Sequence, residues 1–221
     1  PAEMPKMALN VYQNRFGRSE LNLHSGAKLN ERWHMGTFLH GATIYGRPDH
    51  NHDGFLDQTN GQTFSLLQRF AYQGKRMEAQ VGLQAYSDRK NGGQVAYAQA
   101  VPGAYGMLLE SQHLSLFSKT GFFGKKPAQS LGLIANIKYQ DLSGFYGLRA
   151  FQGNEKRFYF NAIYDDIIGN ADHKIKAGAS MLALQISQYA AQPEGFLTLG
   201  GARAEWVPGV FAEYTYSGNR L

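Results

Sequence analysis

The stretch MEAQVGLQAYSD, residues 77–88, alternates apolar and polar side chains with a period of two. Every second position is apolar and lies on one face: Met77, Ala79, Val81, Leu83 and Ala85. The positions between them form the other face: Glu78, Gln80, Gly82, Gln84 and Tyr86. Successive side chains of a strand point to opposite faces, so this period predicts a half-buried β-strand and not a helix.

The same alternation recurs along the chain. It is present in ELNLHSGAKL (20–29), in QTFSLLQRFAYQ (62–73) and in SLGLIANIKYQ (130–140). In the second of these, Gln68 interrupts an otherwise apolar series. We predict an all-β chain with ten strands, at 6–15, 18–29, 31–46, 61–73, 77–89, 106–119, 129–145, 155–168, 173–187 and 203–217.

Strand length and connection length favour one architecture. Most of the predicted strands are about 10–16 residues long, whereas a tilted strand crosses a bilayer in ~9–11 residues. Tight turns are predicted at 29–32, 73–76, 169–172 and 217–220, and longer connections at 47–60, 90–105, 146–154 and 188–202. Apart from the early turn FGR (16–18) and the segment TGFFGKKPAQ (120–129) of intermediate length, short and long connections alternate. This is typical of an antiparallel up-and-down transmembrane β-barrel. A soluble β-sandwich would give the same alternation of side chains and remains the alternative.

Composition excludes several other classes. The 221 residues include no Cys, so disulfides, thiolate metal sites and a cysteine nucleophile are excluded. The formal net charge is +5, but the basic residues form no run, so we expect no nucleic-acid partner. We find no nucleophile–base set with recognisable spacing and no phosphate loop, and we expect no enzymatic activity. No apolar stretch approaches the ~20 residues of a transmembrane helix.

Three segments carry a resemblance to a known family. They are HGATIYGRPDHNHDGFLDQTNGQTFSLLQRFAY (40–72), AIYDDIIGNADHKIKAGAS (162–180) and RAEWVPGVFAEYTYSGNRL (203–221). Together they resemble the β-barrel of TonB-dependent outer-membrane receptors, in the branch that imports cobalamin and iron chelates. The likeness runs over nearly the whole chain, and the last segment is its most specific part.

The resemblance implies a 22-stranded barrel filled by an N-terminal plug domain. This chain departs from that pattern, since no plug and no TonB box are visible and the last residue, Leu221, stands where another strand is expected. We therefore expect residues 1–221 to be the N-terminal portion of the barrel. The implied function is TonB-dependent uptake, in the bacterial outer membrane, of a large scarce ligand such as cobalamin or an iron chelate. The implied partners are outer-membrane lipid and, through the absent plug domain, the TonB complex.

A calcium site is predicted in PDHNHDGFLD, residues 48–57. Oxygen-bearing side chains recur there at every second position, and Gly54 permits a sharp turn, as in calcium loops. The predicted ligands are the side chains of Asp49, Asn51, Asp53 and Asp57 and the carbonyl of Phe55. The bidentate Glu of such loops is replaced by Asn60, so we expect modest affinity, on the order of 10⁻⁵–10⁻³ M. The alternative is a solvated turn with Asx motifs.

Three histidines, His24, His34 and His40, are predicted on the polar face. A haem or transition-metal role requires them to converge, whereas a polar wall accommodates them separately. His50 and His52 alternate with the calcium ligands and are expected to point away from the ion. The second functional hypothesis is a soluble, calcium-dependent β-structured adhesion or carbohydrate-binding module.

Overall fold

The structure is a computed structural model and describes residues 6–126, 128–191 and 199–218. Ten strands form one sheet in which spatial order follows chain order. Every neighbouring pair is antiparallel, which defines an up-and-down sheet. The strands are β1 (Met7–Gln13), β2 (Arg18–Lys28), β3 (Trp33–Ile44), β4 (Asn60–Gln73), β5 (Met77–Gly93), β6 (Gly106–Phe123), β7 (Ser130–Tyr146), β8 (Arg149–Ile167), β9 (His173–Ala191) and β10 (Leu199–Tyr216).

Each of the ten predicted strands is confirmed, but one predicted connection is wrong. The long connection expected at 146–154 is a turn at Gly147 and Leu148, and β8 begins at Arg149. Gly147 has φ of 58°, a left-handed conformation that glycine adopts without steric cost. The segment read as loop instead pairs on both sides, with Gln152 opposite Ser143 of β7 and Tyr189 of β9. Strand pairing thus prevails over a local sequence that contains Gly and Asn.

Cross-strand register separates two faces, because partners in an antiparallel ladder point to the same side. One continuous row crosses β5 to β10 and consists of Leu83, Leu116, Ile137, Phe158, Ala183 and Trp206. The adjacent row points the other way and consists of Gln84, Ser115, Lys138, Arg157, Leu184 and Glu205. We call the side of the first row the apolar face and the side of the second row the polar face.

The buried side chains are polar, the reverse of what is found in a protein with an apolar interior. Among the described residues, no hydrophobic side chain is buried. The buried polar residues are Asp88 and Ser115, both on the polar face. On the apolar face, Ile137 is 57% exposed and Trp206 is 72% exposed. The sheet therefore covers its polar face better than its apolar face.

The sheet is open within the described ranges. β1 pairs only with β2, and β10 pairs only with β9. The two edges also differ in length, since β1 has 7 residues and β10 has 18. Each edge strand presents unpaired backbone N–H and C=O groups along one side, which is where a further strand can add.

Aromatic rings on the polar face lie over glycines of the neighbouring strand. Phe117 is the cross-strand partner of Gly82, and Phe211 is the partner of Gly178. A Cβ on Gly82 would lie 2.4 Å from the Phe117 ring, and one on Gly178 would lie 2.3 Å from the Phe211 ring. The glycines thereby create the space in which these two rings pack against the sheet.

Helical structure is minimal. The helix α1 spans Val95–Ala98, only 4 residues, in the connection between β5 and β6. Within the described ranges, no helix combines the length and the apolar composition needed to cross a membrane.

Candidate functional site

The connection between β3 and β4, residues 45–59, lies at the end of the sheet that carries the longer loops. On one side it contacts the turn between β1 and β2. The Gln58 side-chain amide donates a hydrogen bond of 2.9 Å to the Phe16 carbonyl. The rings of Phe16 and His50 meet edge to face at 5.7 Å between centroids. These two contacts anchor the loop to a turn about 30–40 residues earlier in the chain. The two segments meet because spatial order follows chain order in the sheet.

On its other side the same loop pairs with the connection between β5 and β6. Phe55 and Gln94 form an isolated antiparallel bridge. The bridge consists of Val95 N–H donating to the Gly54 carbonyl at 2.8 Å and Leu56 N–H donating to the Gly93 carbonyl at 2.9 Å. Neither bond uses the carbonyl of Phe55.

The contacts continue across the end of the sheet. Gln94 accepts a hydrogen bond of 2.7 Å from the Tyr105 backbone through its side-chain oxygen. The rings of Tyr97 and Phe145 meet edge to face at 6.2 Å, and Gly147 N–H donates to the Gly106 carbonyl at 2.7 Å. The four connections form one contiguous layer, which we call the loop layer: residues 14–17, 45–59, 94–105 and 147–148.

Two cavities open in the loop layer. The first, about 380 Å³, lies between the 45–59 and 94–105 connections, and its lining includes Tyr45, Arg47, Arg89 and Tyr97. The second, about 630 Å³, is lined by Tyr97, Tyr105, Phe145, Tyr146 and Arg149 among others. Aromatic rings and guanidinium groups can stack on planar ligands and pair with anionic groups. Of the predicted longer connections, 90–105 contributes to both cavities, whereas residues 192–198 of the connection at 188–202 lie outside the described residues.

Three of the predicted calcium ligands come together in one tight turn. The Asp49 carboxylate accepts hydrogen bonds of 3.1 Å from the backbone N–H groups of Asp53 and Gly54. The Asn51 amide donates to the Asp53 carboxylate at 2.9 Å. Positive φ angles at His52 (56°) and Gly54 (83°) produce the turn. The donor set is hard oxygen, as calcium requires, and the backbone holds Asp49 with its oxygens directed into the loop.

The third predicted carboxylate, that of Asp57, is engaged elsewhere. One oxygen of Asp57 accepts hydrogen bonds from the His50 backbone N–H at 2.9 Å and from His50 Nδ1 at 2.6 Å. These bonds, the backbone one foremost, hold the pKa of Asp57 below its usual range. Within the described ranges, no group of three or more His, Cys, Asp or Glu side chains is placed to hold a metal. Calcium coordination by Asp57 would require it to turn away from His50 or to use its second oxygen.

The histidines of the polar face do not converge. The His24 ring stacks on Phe38 with centroids 4.5 Å apart, and His40 Nδ1 is 2.7 Å from the Asn22 side-chain oxygen. His34 pairs with Lys28, at the opposite end of β3 from the Asn22–His40 pair. The described side chains therefore give the three histidines no common ligand position.

Sequence patterns did not indicate a charge cluster on the polar face. Arg157 contacts the Glu155 carboxylate at 2.9 Å, and the Lys138 ammonium is 3.9 Å from the same oxygen. Lys138 and Arg157 are cross-strand partners, and both Lys138 and Glu155 are mostly covered. The register of β7 against β8 brings Lys138 to Glu155 and Arg157, which are two residues apart on β8.

The fold defines a class: an all-β chain with ten strands in one antiparallel up-and-down sheet, whose apolar face is exposed. Comparisons with protein-family models, with curated proteins and with solved structures found no match to this chain.

Proposed function

We propose that this chain forms part of the transmembrane β-barrel of a TonB-dependent outer-membrane receptor, one that takes up a large scarce ligand such as cobalamin or an iron chelate. The observation that carries the proposal is the exposed apolar face. It spans the sheet from Leu9 and Leu21 at one edge to Trp206 and Val210 at the other. Leaving such a surface in water costs about 25 cal/mol per Å² of apolar area, and a bilayer removes that cost.

Strand length agrees with this assignment. Strands β5 to β9 have 17 to 19 residues, beyond the ~9–11 that a tilted strand needs to cross a bilayer. The excess lies at the loop end, where the apolar face becomes polar through residues such as Gln62, Arg89 and Glu110. We therefore assign the loop layer to the side of the membrane on which ligand arrives. In this proposal, strands additional to β1–β10 complete the closed 22-stranded barrel.

Ligand binding is assigned to the loop layer. Its two cavities combine aromatic rings with arginines, which suits a large, partly planar ligand with anionic groups. Calcium bound by Asp49, Asn51, Asp53 and the Phe55 carbonyl would stiffen residues 45–59, which contact the neighbouring connections on both sides. Coupling to the TonB complex is assigned to a plug domain, which the described strands do not supply.

The alternative, a soluble calcium-dependent adhesion or carbohydrate-binding module, has weaker support. A soluble sheet of this size requires a second layer over its apolar face. Among the described residues no element packs on that face, and the short helix α1 lies within the loop layer.

Tryptophan fluorescence in brominated lipid tests the proposal. The chain has 2 Trp, and Trp206 lies on the apolar face, near the middle of the edge strand β10. In the Trp33→Phe variant, lipid brominated at mid-chain should quench Trp206 strongly. The matched control moves the indole by one residue, to the polar face, as Trp33→Phe/Trp206→Phe/Val207→Trp, and its fluorescence should stay unquenched. A soluble monomer with Trp206 unquenched would refute membrane insertion and favour the module.

A further inference from the structure

A group of exposed cations lies at the short-turn end of the sheet. Three neighbouring turns, 29–32, 74–76 and 124–129, carry five exposed cations: Arg32, Lys75, Arg76, Lys125 and Lys126. We call this set the basic rim. The acidic residues in the described short turns are Glu31 and Asp172, so the rim is positive on balance.

Backbone hydrogen bonds place the three turns side by side. Gln73 N–H donates to the Arg32 carbonyl at 2.8 Å, which ties the end of β4 to the first turn. Phe123 N–H donates to the Arg76 carbonyl at 2.9 Å, which ties the end of β6 to the second turn. The three turns that carry the basic rim are therefore neighbours along the short-turn end of the sheet.

Cations on the strands and cations in the turns differ in their ion pairing. At the loop end, cations on the strands are neutralised by acidic partners: Arg18 by Glu20, Arg89 by Glu110 and Lys90 by Asp88. No cation of the basic rim is in an ion pair within the described ranges. These five charges are thus available to a partner of opposite sign.

Aromatic side chains of the apolar face border the basic rim. Trp33 and Tyr72 are cross-strand partners whose rings lie 5.2 Å apart, directly beside the first two turns. Phe122, 39% exposed, lies on the same face beside the third turn. The amphipathic rings of Trp and Tyr are enriched at the boundary between acyl chains and head groups. Cations placed just beyond them would stand at the level of lipid phosphates.

We infer that the basic rim binds the head groups of anionic phospholipids in the leaflet on the short-turn side. The inference rests on the proposed membrane insertion and adds a lipid preference and an orientation to it. Each Lys or Arg near an anionic surface strengthens binding by a factor of about five, and salt weakens the attraction. The partner is membrane-embedded lipid, because the rings beside the rim require an adjoining acyl layer.

The test compares insertion of the purified full chain into vesicles of phosphatidylcholine alone and vesicles of phosphatidylcholine mixed with phosphatidylglycerol. Wild-type protein should prefer the anionic mixture, and raised salt should reduce that preference. The Lys75→Gln/Arg76→Gln variant should lose about 25-fold of that preference. The control Arg15→Gln/Arg47→Gln removes equal charge from two exposed cations of the loop end that are in no ion pair within the described residues. It should keep the wild-type lipid preference. Circular dichroism confirms that each variant is folded.

The outcomes separate the two claims. Insertion into both lipids without preference, or equal loss in both double variants, overturns the rim assignment and leaves membrane insertion intact. Failure of the wild type to insert into either vesicle overturns the proposed function itself. Loss of preference in the rim variant alone supports the inference.

Discussion

The Thr37 hydroxyl donates a hydrogen bond of 2.6 Å to the Gln68 side-chain oxygen across β3 and β4, in the middle of the apolar face. Gln68 is the residue that interrupts the apolar series of residues 62–73. Its oxygen has a partner, but its amide nitrogen is buried and lacks one in the structure. A polar side chain is thus kept on an apolar face by one cross-strand bond, at the cost of an unsatisfied donor.

We expect Gln68→Leu to stabilise the protein in lipid by about 1 kcal/mol, because it removes a buried donor without a partner. Thr37→Val alone should destabilise by about 1 kcal/mol, because it also leaves the Gln68 oxygen unpaired. In the double variant the cost of Thr37→Val should vanish. Unfolding in urea from lipid vesicles measures all four proteins, and purely additive effects would contradict the pairing.

The two faces should respond differently to a charge. Val81 lies on the apolar face and Gln80 on the polar face, one residue apart on β5. Val81→Arg should cost roughly 2–4 kcal/mol near the bilayer midplane. Gln80→Arg places its charge beside Lys119 and should cost about 1 kcal/mol or less. Folding yield into lipid vesicles measures both, and equal effects would refute a membrane-facing apolar face.

The strands could be predicted because each depends on local alternation and on its nearest neighbours. β8 marks the limit of that reasoning. Residues 149–154 include Gly153 and Asn154 and read locally as a loop, yet β7 and β9 flank them and fix them as strand. Whether a given polar side chain is paired, as Gln68 is with Thr37, depends on register and cannot be derived from one strand alone.

The candidate site was predictable to the same degree. One tight turn joins Asp49, Asn51 and Asp53 through hydrogen bonds, and calcium binding by them stays a prediction. The diversion of Asp57 to His50 was missed, since it depends on the path of the loop between them. The contacts of Gln58 with Phe16 and of Gly54 with Val95 join segments that are distant in sequence, and only the sheet order brings them together.

The His50–Asp57 pair predicts a pH dependence of the loop. The pKa of Asp57 is held below its usual range by bonds that need the carboxylate form. Such a group stabilises the closed loop above its unfolded pKa of about 3.9, and the stabilisation is lost as pH falls through the lower folded pKa. We expect residues 50–57 to loosen below about pH 4. Hydrogen exchange measured across this range gives the midpoint.

Two variants serve as controls for the pH effect. His50→Ala removes the side-chain donor, so the pKa of Asp57 should rise toward its usual value and the loop should loosen at higher pH. Asp57→Asn removes the titrating group, and residues 50–57 should then show no acid transition in this range. An acid transition that persists unchanged in Asp57→Asn would assign the effect to another carboxylate.

Calcium should bind the loop and transmit order to its neighbour. We expect wild-type protein to bind calcium with a dissociation constant on the order of 10⁻⁵–10⁻³ M, and magnesium more weakly, since an irregular loop does not supply a tight octahedron. Calorimetric titration measures both ions. Asp53→Ala removes a carboxylate from the centre of the turn and should abolish the calcium signal. Asp172→Ala, the same substitution in an exposed turn at the opposite end of the sheet, should titrate as wild type.

Hydrogen exchange supplies the second readout of calcium binding. Val95 N–H donates to the Gly54 carbonyl, so an ordered calcium loop should slow exchange at Val95 as well as at residues 49–57. If Asp57 joins the ion, the His50 ring loses its partner, and its NMR resonances should shift on calcium addition. Identical calorimetric traces for wild type and Asp53→Ala, with no change at Val95, would reduce residues 48–57 to a polar turn held by its own hydrogen bonds.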